Sequence, residues 1–215
     1  MLKFFFMTFF LASCAGYHFD DKTHFFKENH IRSIYILPVR EEGFLPEVPT
    51  FVTLALEDTF KELPDIALTS HKEVADAYIY SIVTMEEKLE KVLNASDRVV
   101  ANVEPTKNGE LRPSFYIPSS SMVQFTVHFF VINSRNFLNS LDKLEEEKLL
   151  SIIKQKKDVL RSYSFTVSQK YSRNVNSDDA QNLNSTQNEA LLRLVVKELS
   201  QKSVNKFKEV LFYEF

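Results

Sequence analysis

Two stretches of alternation dominate the pattern of apolar and polar positions. From about Met122 to Ile132, Val123, Phe125, Val127, Phe129 and Val131 form an uninterrupted apolar row. Gln124, Thr126 and His128 oppose that row until Phe130 and Ile132 close the second face. Val159, Arg161, Tyr163, Phe165 and Val167 alternate in the same way against Leu160, Ser162, Ser164, Thr166 and Ser168. A period of two sends successive side chains to opposite faces of a sheet, so both segments read as long antiparallel strands with one packed face. A third alternation opens at Ala75-Asp76-Ala77, with Tyr78, Tyr80 and Ile82 against Ala77, Ile79 and Val83. Ile31 to Val39 reads as a buried strand ended by Pro38, and Ile66 to Thr69 as a short strand. Met85 to Val92 suits a helix or a solvated strand continuation. The stretch from Val103 to Pro118 reads as a loop whose Asn108-Gly109 is a turn signal able to join two strands.

Helical periodicity marks two further segments. Thr50 is placed to cap a helix running to about Leu63, with Val52, Leu56, Phe60 and Leu63 on one face and Pro64-Asp65 as the stop. Leu192, Val196, Leu199, Ser203, Phe207 and Val210 recur at helical spacing, which predicts a long helix to about Leu211 lying across a sheet. Leu138 to Asp158 is rich in both acids and bases and is expected as a solvated helical excursion. Asn174 to Asn188 reads as a polar connection. This order predicts an α+β fold: a two-layer sandwich of a mostly antiparallel four- to five-stranded sheet with two main helices on one face.

The N-terminus adds a different kind of information. Lys3 precedes the apolar run Phe4 to Leu11, and the small residues Ala12 and Ser13 lead to Cys14, the one cysteine in 215 residues. Charge, apolar core and small-residue ending make a secretory signal peptide; the apolar run, about ten residues, is too short to span a bilayer. Leu11-Ala12-Ser13-Cys14 also fits a bacterial lipobox, in which Cys14 would become the first residue of the mature chain and carry diacylglycerol and an N-acyl chain. Several acyl chains anchor a protein almost permanently, where one anchors marginally. Ala15 stands where an aspartate would signal inner-membrane retention in enteric bacteria, so outer-membrane delivery is expected. The expected organisation is a signal peptide over 1–13, a lipidated N-terminus and tether over 14–29, and a single α+β domain over 30–215 with a charged helical insertion at about 138–158.

Composition narrows the chemistry. Twenty phenylalanines, eight tyrosines and three glycines point to an aromatic core and away from a phosphate-cradling loop. The formal charge of −3 gives no electrostatic reason to bind nucleic acid. His18, His24 and His30 recur at six-residue steps but without ligand-like neighbours, so packing or solvated roles are expected and no metal site is assigned. His128, on the polar side of a strand, is expected to make surface hydrogen bonds. Asp76, Asp97, Glu57 and Asp58 are acids that nothing in the sequence brings together, and Ser119-Ser120-Ser121 reads as a cap or loop. No nucleophile elbow and no H-E-x-x-H motif is present, so the chain is expected not to be an enzyme and to need no cofactor. Tyr213 and Phe215 end the chain as outer-membrane barrel strands do, but a barrel needs at least about eight strands, more than this chain offers.

Cys14, the run Gly16-Tyr17-His18-Phe19 just after it, the strand Ser33 to Val39, the helix from Pro49 to Leu63 and the Ala75-Asp76-Ala77 strand opening together resemble the lipopolysaccharide-assembly lipoprotein family, LptE. The resemblance covers about residues 11–135, and the final helix matches in architecture only. It implies a small sheet with two helices on one side, seated as a plug in the lumen of an LptD-like outer-membrane β-barrel. It further implies a part in assembling that barrel and contact with lipopolysaccharide during its insertion into the outer leaflet. Leu138 to Asp158 and the Asn-rich stretch near residue 182 depart from the family pattern and would enlarge the plug. Of the basic residues Arg98, Lys107, Arg112 and Lys170, the first three flank a loop between strands and are the candidates for lipopolysaccharide phosphates, which guanidinium groups grip as a fork. The alternative is an envelope lipoprotein that regulates a periplasmic enzyme such as a cell-wall synthase.

Overall fold

The structure, a computed structural model, describes residues 24–42, 45–85, 98–100, 116–118, 120–133, 135–141, 150, 151, 153, 155, 157–172 and 185–212. In chain order the elements are α1 (His24–Glu28), β1 (Ser33–Ile36), β2 (Arg40–Glu42), α2 (Val48–Lys61), β3 (Ala67–Leu68), β4 (Ala77–Thr84), β5 (Arg98–Val100), β6 (Tyr116–Pro118), β7 (Ser120–Ile132), α3 (Arg135–Leu141), β8 (Val159–Ser172) and α4 (Ser185–Phe212). The main sheet runs β3-β1-β4-β7-β8, with β2 also paired to β4. The fold is α+β, and the two longest ladders, β4–β7 and β7–β8, are antiparallel. The ladders made by β1, β2 and β3 are parallel, which the alternation alone did not indicate.

The first strand stops at Ile36, ahead of Pro38 as expected, but the chain then pairs with β4 again as a separate short strand, β2. Ile34 to Ile36 pair with Ala77 to Ile79, and Arg40 to Glu42 pair with Ile82 to Thr84 along the same edge of β4. Three residues, Leu37 to Val39, therefore lie opposite only Tyr80 and Ser81, a bulge that absorbs the proline's missing donor. The Leu37 N–H keeps contact with β4 through the Ile79 carbonyl at 2.9 Å. Thr50 likewise lies inside α2 rather than at its cap. The helix opens at Glu47 and accommodates Pro49 in its first turn, where a proline costs no hydrogen bond.

The front of the sheet carries the larger core. Ala77, Ile79 and Val83 of β4 and Val123 to Val131 at alternate positions of β7 pack with Val52, Leu56 and Phe60 of α2 and Val196, Leu199 and Phe207 of α4. Phe129 stacks on Phe207 with centroids 4.5 Å apart and planes 7° from parallel, tying the central strand to α4. The two helices run parallel, since Arg193 meets Glu47 at 3.3 Å near their starts and Lys208 meets Glu62 at 2.7 Å near their ends. Besides the predicted stripe, α4 buries Val195, Ser200, Val204 and Leu211. The hydroxyls of Ser200 and Ser203 are satisfied within the helix, by the carbonyls of Val196 and Ser200 at 2.8 Å.

The back of the sheet is covered at one end, and the expectation of a wholly solvated excursion is corrected there. Phe137, Leu138 and Ile153 are buried against Tyr78, Tyr80, Ile82, Phe130 and Ile132. Charge dominates the composition of 138–158, but a few apolar residues suffice to cover the stretch where β7 turns apolar on both faces. The pairing of Arg98–Val100 with Tyr116–Pro118 is antiparallel and symmetric about residue 108, in keeping with the Asn108-Gly109 turn signal, although 101–115 lie outside the described residues.

Two mutational outcomes follow from these contacts. Truncating Leu138 to Ala should lower stability by about 2–5 kcal/mol, as for other buried leucines; a loss under about 0.5 kcal/mol in urea unfolding, as for surface substitutions, would mean a solvated segment. His30 has φ 56°, the left-handed region that favours glycine. His30→Gly should therefore raise stability by about 0.5–1 kcal/mol, whereas a β-branched residue there should lower it, both read from the same unfolding midpoints.

Candidate functional site

The sheet has two unlike ends. At the one where β1 and β4 begin, α1 closes the core. Its C-terminus is a Schellman motif: the Ile31 N–H reaches the Phe26 carbonyl at 2.8 Å and the His30 N–H reaches the Lys27 carbonyl at 3.1 Å. His30 takes the left-handed position of that motif, and the apolar contact that accompanies it is made by Phe26 and Ile31, both buried. Phe26 sits between the helix ends, 6.2 Å from Phe60 and 5.5 Å from Phe212 by ring centroids. The Arg161 guanidinium lies 5.4 Å over the ring of Phe25. Residues within the expected tether are thus part of the core, a role marked in the sequence only by the Phe25-Phe26 pair.

Asp76 fastens the same end. Its Oδ2 accepts from the backbone N–H groups of Arg32 and Ser33 at 3.0 and 2.9 Å and from the Ser33 hydroxyl at 2.8 Å. Burial alone would raise this carboxyl's pKa, but the N–H of Arg32, the hydroxyl and N–H of Ser33 and the charge of Arg32 together hold it below its ordinary value. Asp76 is therefore a clasp between β1 and β4. Glu57 pairs with Lys61 one helical turn on, at 3.2 Å. Lys208 lowers the pKa of Glu62 by its hydrogen bond and then by its charge.

On the back of the sheet, beyond the part covered by α3, lies a polar row. The Nε2 of His128 is 3.1 Å from the Thr84 hydroxyl, its Nδ1 is 2.7 Å from the Ser164 hydroxyl, and the hydroxyls of Thr126 and Thr166 meet at 2.8 Å. These are cross-strand bridges on a regular ladder. Ser164 stands in the middle of a strand, not on the tight turn that exposes a nucleophile. Among the described residues, no group of three or more His, Cys, Asp or Glu is placed to hold a metal ion.

The residues singled out in the sequence are not gathered by the fold. Cys14, Lys107, Arg112, Asp97, His18 and Ser119 lie outside the described residues. Arg98 opens β5, in the two-stranded sheet that leads into β7 from the far end. His24 begins α1 and Lys170 faces Met122 across the β7–β8 ladder. Ser120 opens β7 and is buried.

No family model matches the chain, and no curated protein matches it. Solved structures resemble it in outline. A lipoprotein from Caulobacter crescentus is 10% identical with a TM-score of 0.41, over 82% of this chain and 89% of that one. A hypothetical protein from Chlamydia trachomatis is 10% identical with a TM-score of 0.40, over 84% of this chain and 98% of that one. Rare lipoprotein B from Shewanella oneidensis is 9% identical with a TM-score of 0.35, over 85% and 92%. Likenesses this slight carry no argument about activity, ligand or partner.

The Asp76 clasp has a pH signature. Because the folded carboxyl titrates below 3.8, its contribution is complete above that value and is lost as the pH falls through the lower folded value. Asp76→Ala should cost about 1–2 kcal/mol at neutral pH, a figure reduced for solvent screening. The gap between variant and parent should close in unfolding curves recorded progressively below pH 3.8; a gap that stays constant would assign the loss to packing.

Proposed function

We propose that the chain is an outer-membrane lipoprotein, anchored through acylated Cys14, that plugs and helps assemble an LptD-like β-barrel and assists insertion of lipopolysaccharide. The observation that carries this reading is the position of α1. Phe26 is buried in the core only twelve residues after Cys14. A chain that long reaches at most roughly 40 Å, so an acylated Cys14 keeps the domain close to the bilayer, with the α1 end toward the anchor. The lipobox pattern and the Gly16-Tyr17-His18-Phe19 run support it from the sequence side. None of the described helices is long and apolar enough to cross a membrane, so attachment falls to the lipid. On this reading the work is done by shape and hydrogen bonding, with Arg98, Lys107 and Arg112 as the groups to meet lipopolysaccharide phosphates. A regulator of a distant periplasmic enzyme would need a longer reach than this tether gives.

The test is purification of the tagged, full-length chain from membranes in mild detergent. A large β-barrel protein recovered in equal amount is the expected outcome, lost when Cys14→Ser releases the chain from the membrane fraction. Recovery of a periplasmic synthase instead would support the alternative, and recovery of neither would overturn both.

A further inference from the structure

Among the described residues, the two edges of the main sheet differ sharply. One is made of β3 and β2, of two and three residues; the other is β8, of fourteen, paired only with β7. Exposed edges offer a row of backbone groups to any other strand, and proteins blunt them with short strands, prolines, bulges or charge. From Ser162 to Gln169, β8 holds no proline, glycine or charge, and its single irregularity lies at its start, opposite Val131 and Ile132. The front of this run, Tyr163, Phe165, Val167 and Gln169, is aromatic, apolar or amide, and only Val167 is fully buried. The back, Ser162, Ser164, Thr166 and Ser168, consists of small hydroxyl residues, all exposed.

We infer that β8 is the docking edge for a second copy of this chain, joined antiparallel about a two-fold axis at Thr166. The strand is chemically self-complementary in that register. Phe165 then faces Val167 of the other copy and Ser164 faces Ser168, while Thr166 faces its own mate and Tyr163 faces Gln169. Pairs of this kind stabilise antiparallel ladders. Arg161 and Lys170 fall opposite Tyr171 and Ser162 rather than opposite each other. Centring the axis on Val167 sets Phe165 against Gln169, and centring it on Phe165 shortens the overlap of the regular ladder. The axis stands perpendicular to the sheet, so apolar fronts meet apolar fronts in one continuous sheet, an isologous contact. The flank of α4 that overhangs this edge is marked by Glu198, which accepts from Gln169 at 3.1 Å. Leu194 and Leu191 lie four and seven residues earlier on that flank and are 53% and 36% exposed. A second copy at the β8 edge covers them.

The full chain, purified without any barrel partner, tests this independently of the plug reading. Thr166→Cys should give a disulfide-linked dimer under mild oxidation, with the unsubstituted chain, whose one cysteine is Cys14, as the blank. Ser164→Cys or Ser168→Cys alone should not cross-link, but chains carrying one of each should do so when mixed. Thr166→Lys, at an exposed site, should leave the circular dichroism unchanged and weaken dimerisation at least about tenfold by light scattering, since like charges then face each other. A monomer by light scattering with no cross-link at residue 166, equal cross-linking at 164, 166 and 168, or a dimer indifferent to Thr166→Lys would each overturn the proposal.

Discussion

The fold depends on the pairing of β7 along both of its sides. All thirteen of its residues are laddered to β8 on one flank, and Thr126 to Ile132 are laddered to β4 on the other, so its backbone is committed before any side chain is considered. A strand held in this way must present alternate residues to two faces. Every odd position from Val123 to Val131 therefore goes to the helix side, where Phe129 finds Phe207. A slip of one residue would send that row to the hydroxyl side and leave α4 without a floor. The same commitment explains the back of the sheet: where β7 turns apolar at Phe130 and Ile132, something must cover it, and Phe137, Leu138 and Ile153 do so.

The helix layer works under a second constraint. Two parallel helices on one sheet face bring their like-signed ends together, which is electrostatically unfavourable within the first and last turns. The contact between them must be made by packing, and α4 buries the small residues Ser200 and Ser203 with Val204. Serines there need no partner outside their own helix, because preceding carbonyls accept their protons. The pairs Glu47–Arg193 and Glu62–Lys208 are surface interactions of the kind that contributes little energy. Their placement at both ends fixes the parallel direction all the same. Among the described residues, the Ser81 hydroxyl, facing the front core from β4, is buried without a hydrogen-bond partner, so polarity is carried there at a cost.

What could be read from the sequence is what a single period determines. Strands β7 and β8 and the sheet-facing stripe of α4 were legible because their apolar positions keep one period, and β4 because its large and small residues alternate although both of its faces are buried. Pro38 marked the end of β1, but it could not show that the chain pairs with β4 again from Arg40, because a proline forbids a ladder hydrogen bond at one residue only. Phe26 and His30 were not legible in their roles: a five-residue helix has too few turns to show a stripe, and a left-handed residue that is not glycine leaves no mark in the sequence. The second stripe of α4 was hidden because it contains serine, a residue that a hydropathy pattern counts as exposed. Of the candidate site residues, Arg98 has a place in the described fold, at the head of β5. The polar row through His128 was anticipated only as surface hydrogen bonding, since its cross-strand partners lie 36 and 44 residues away.

The two ends of the sheet are closed in different ways. Both helices finish at the α1 end, where Phe26, Phe60 and Phe212 join the start of the domain to the ends of α2 and α4. The far end receives the ends of β2, β4 and β8, the starts of α2 and α4, and the β5–β6 pair with Arg98. The long β8 edge runs from the α1 end to this far end. An acidic chain with a rigid core and a long edge strand is better suited to strand pairing and shape than to charge attraction, and strand pairing is directional. Contact with a partner would then be specified by register, as it is between β7 and β8 within the chain.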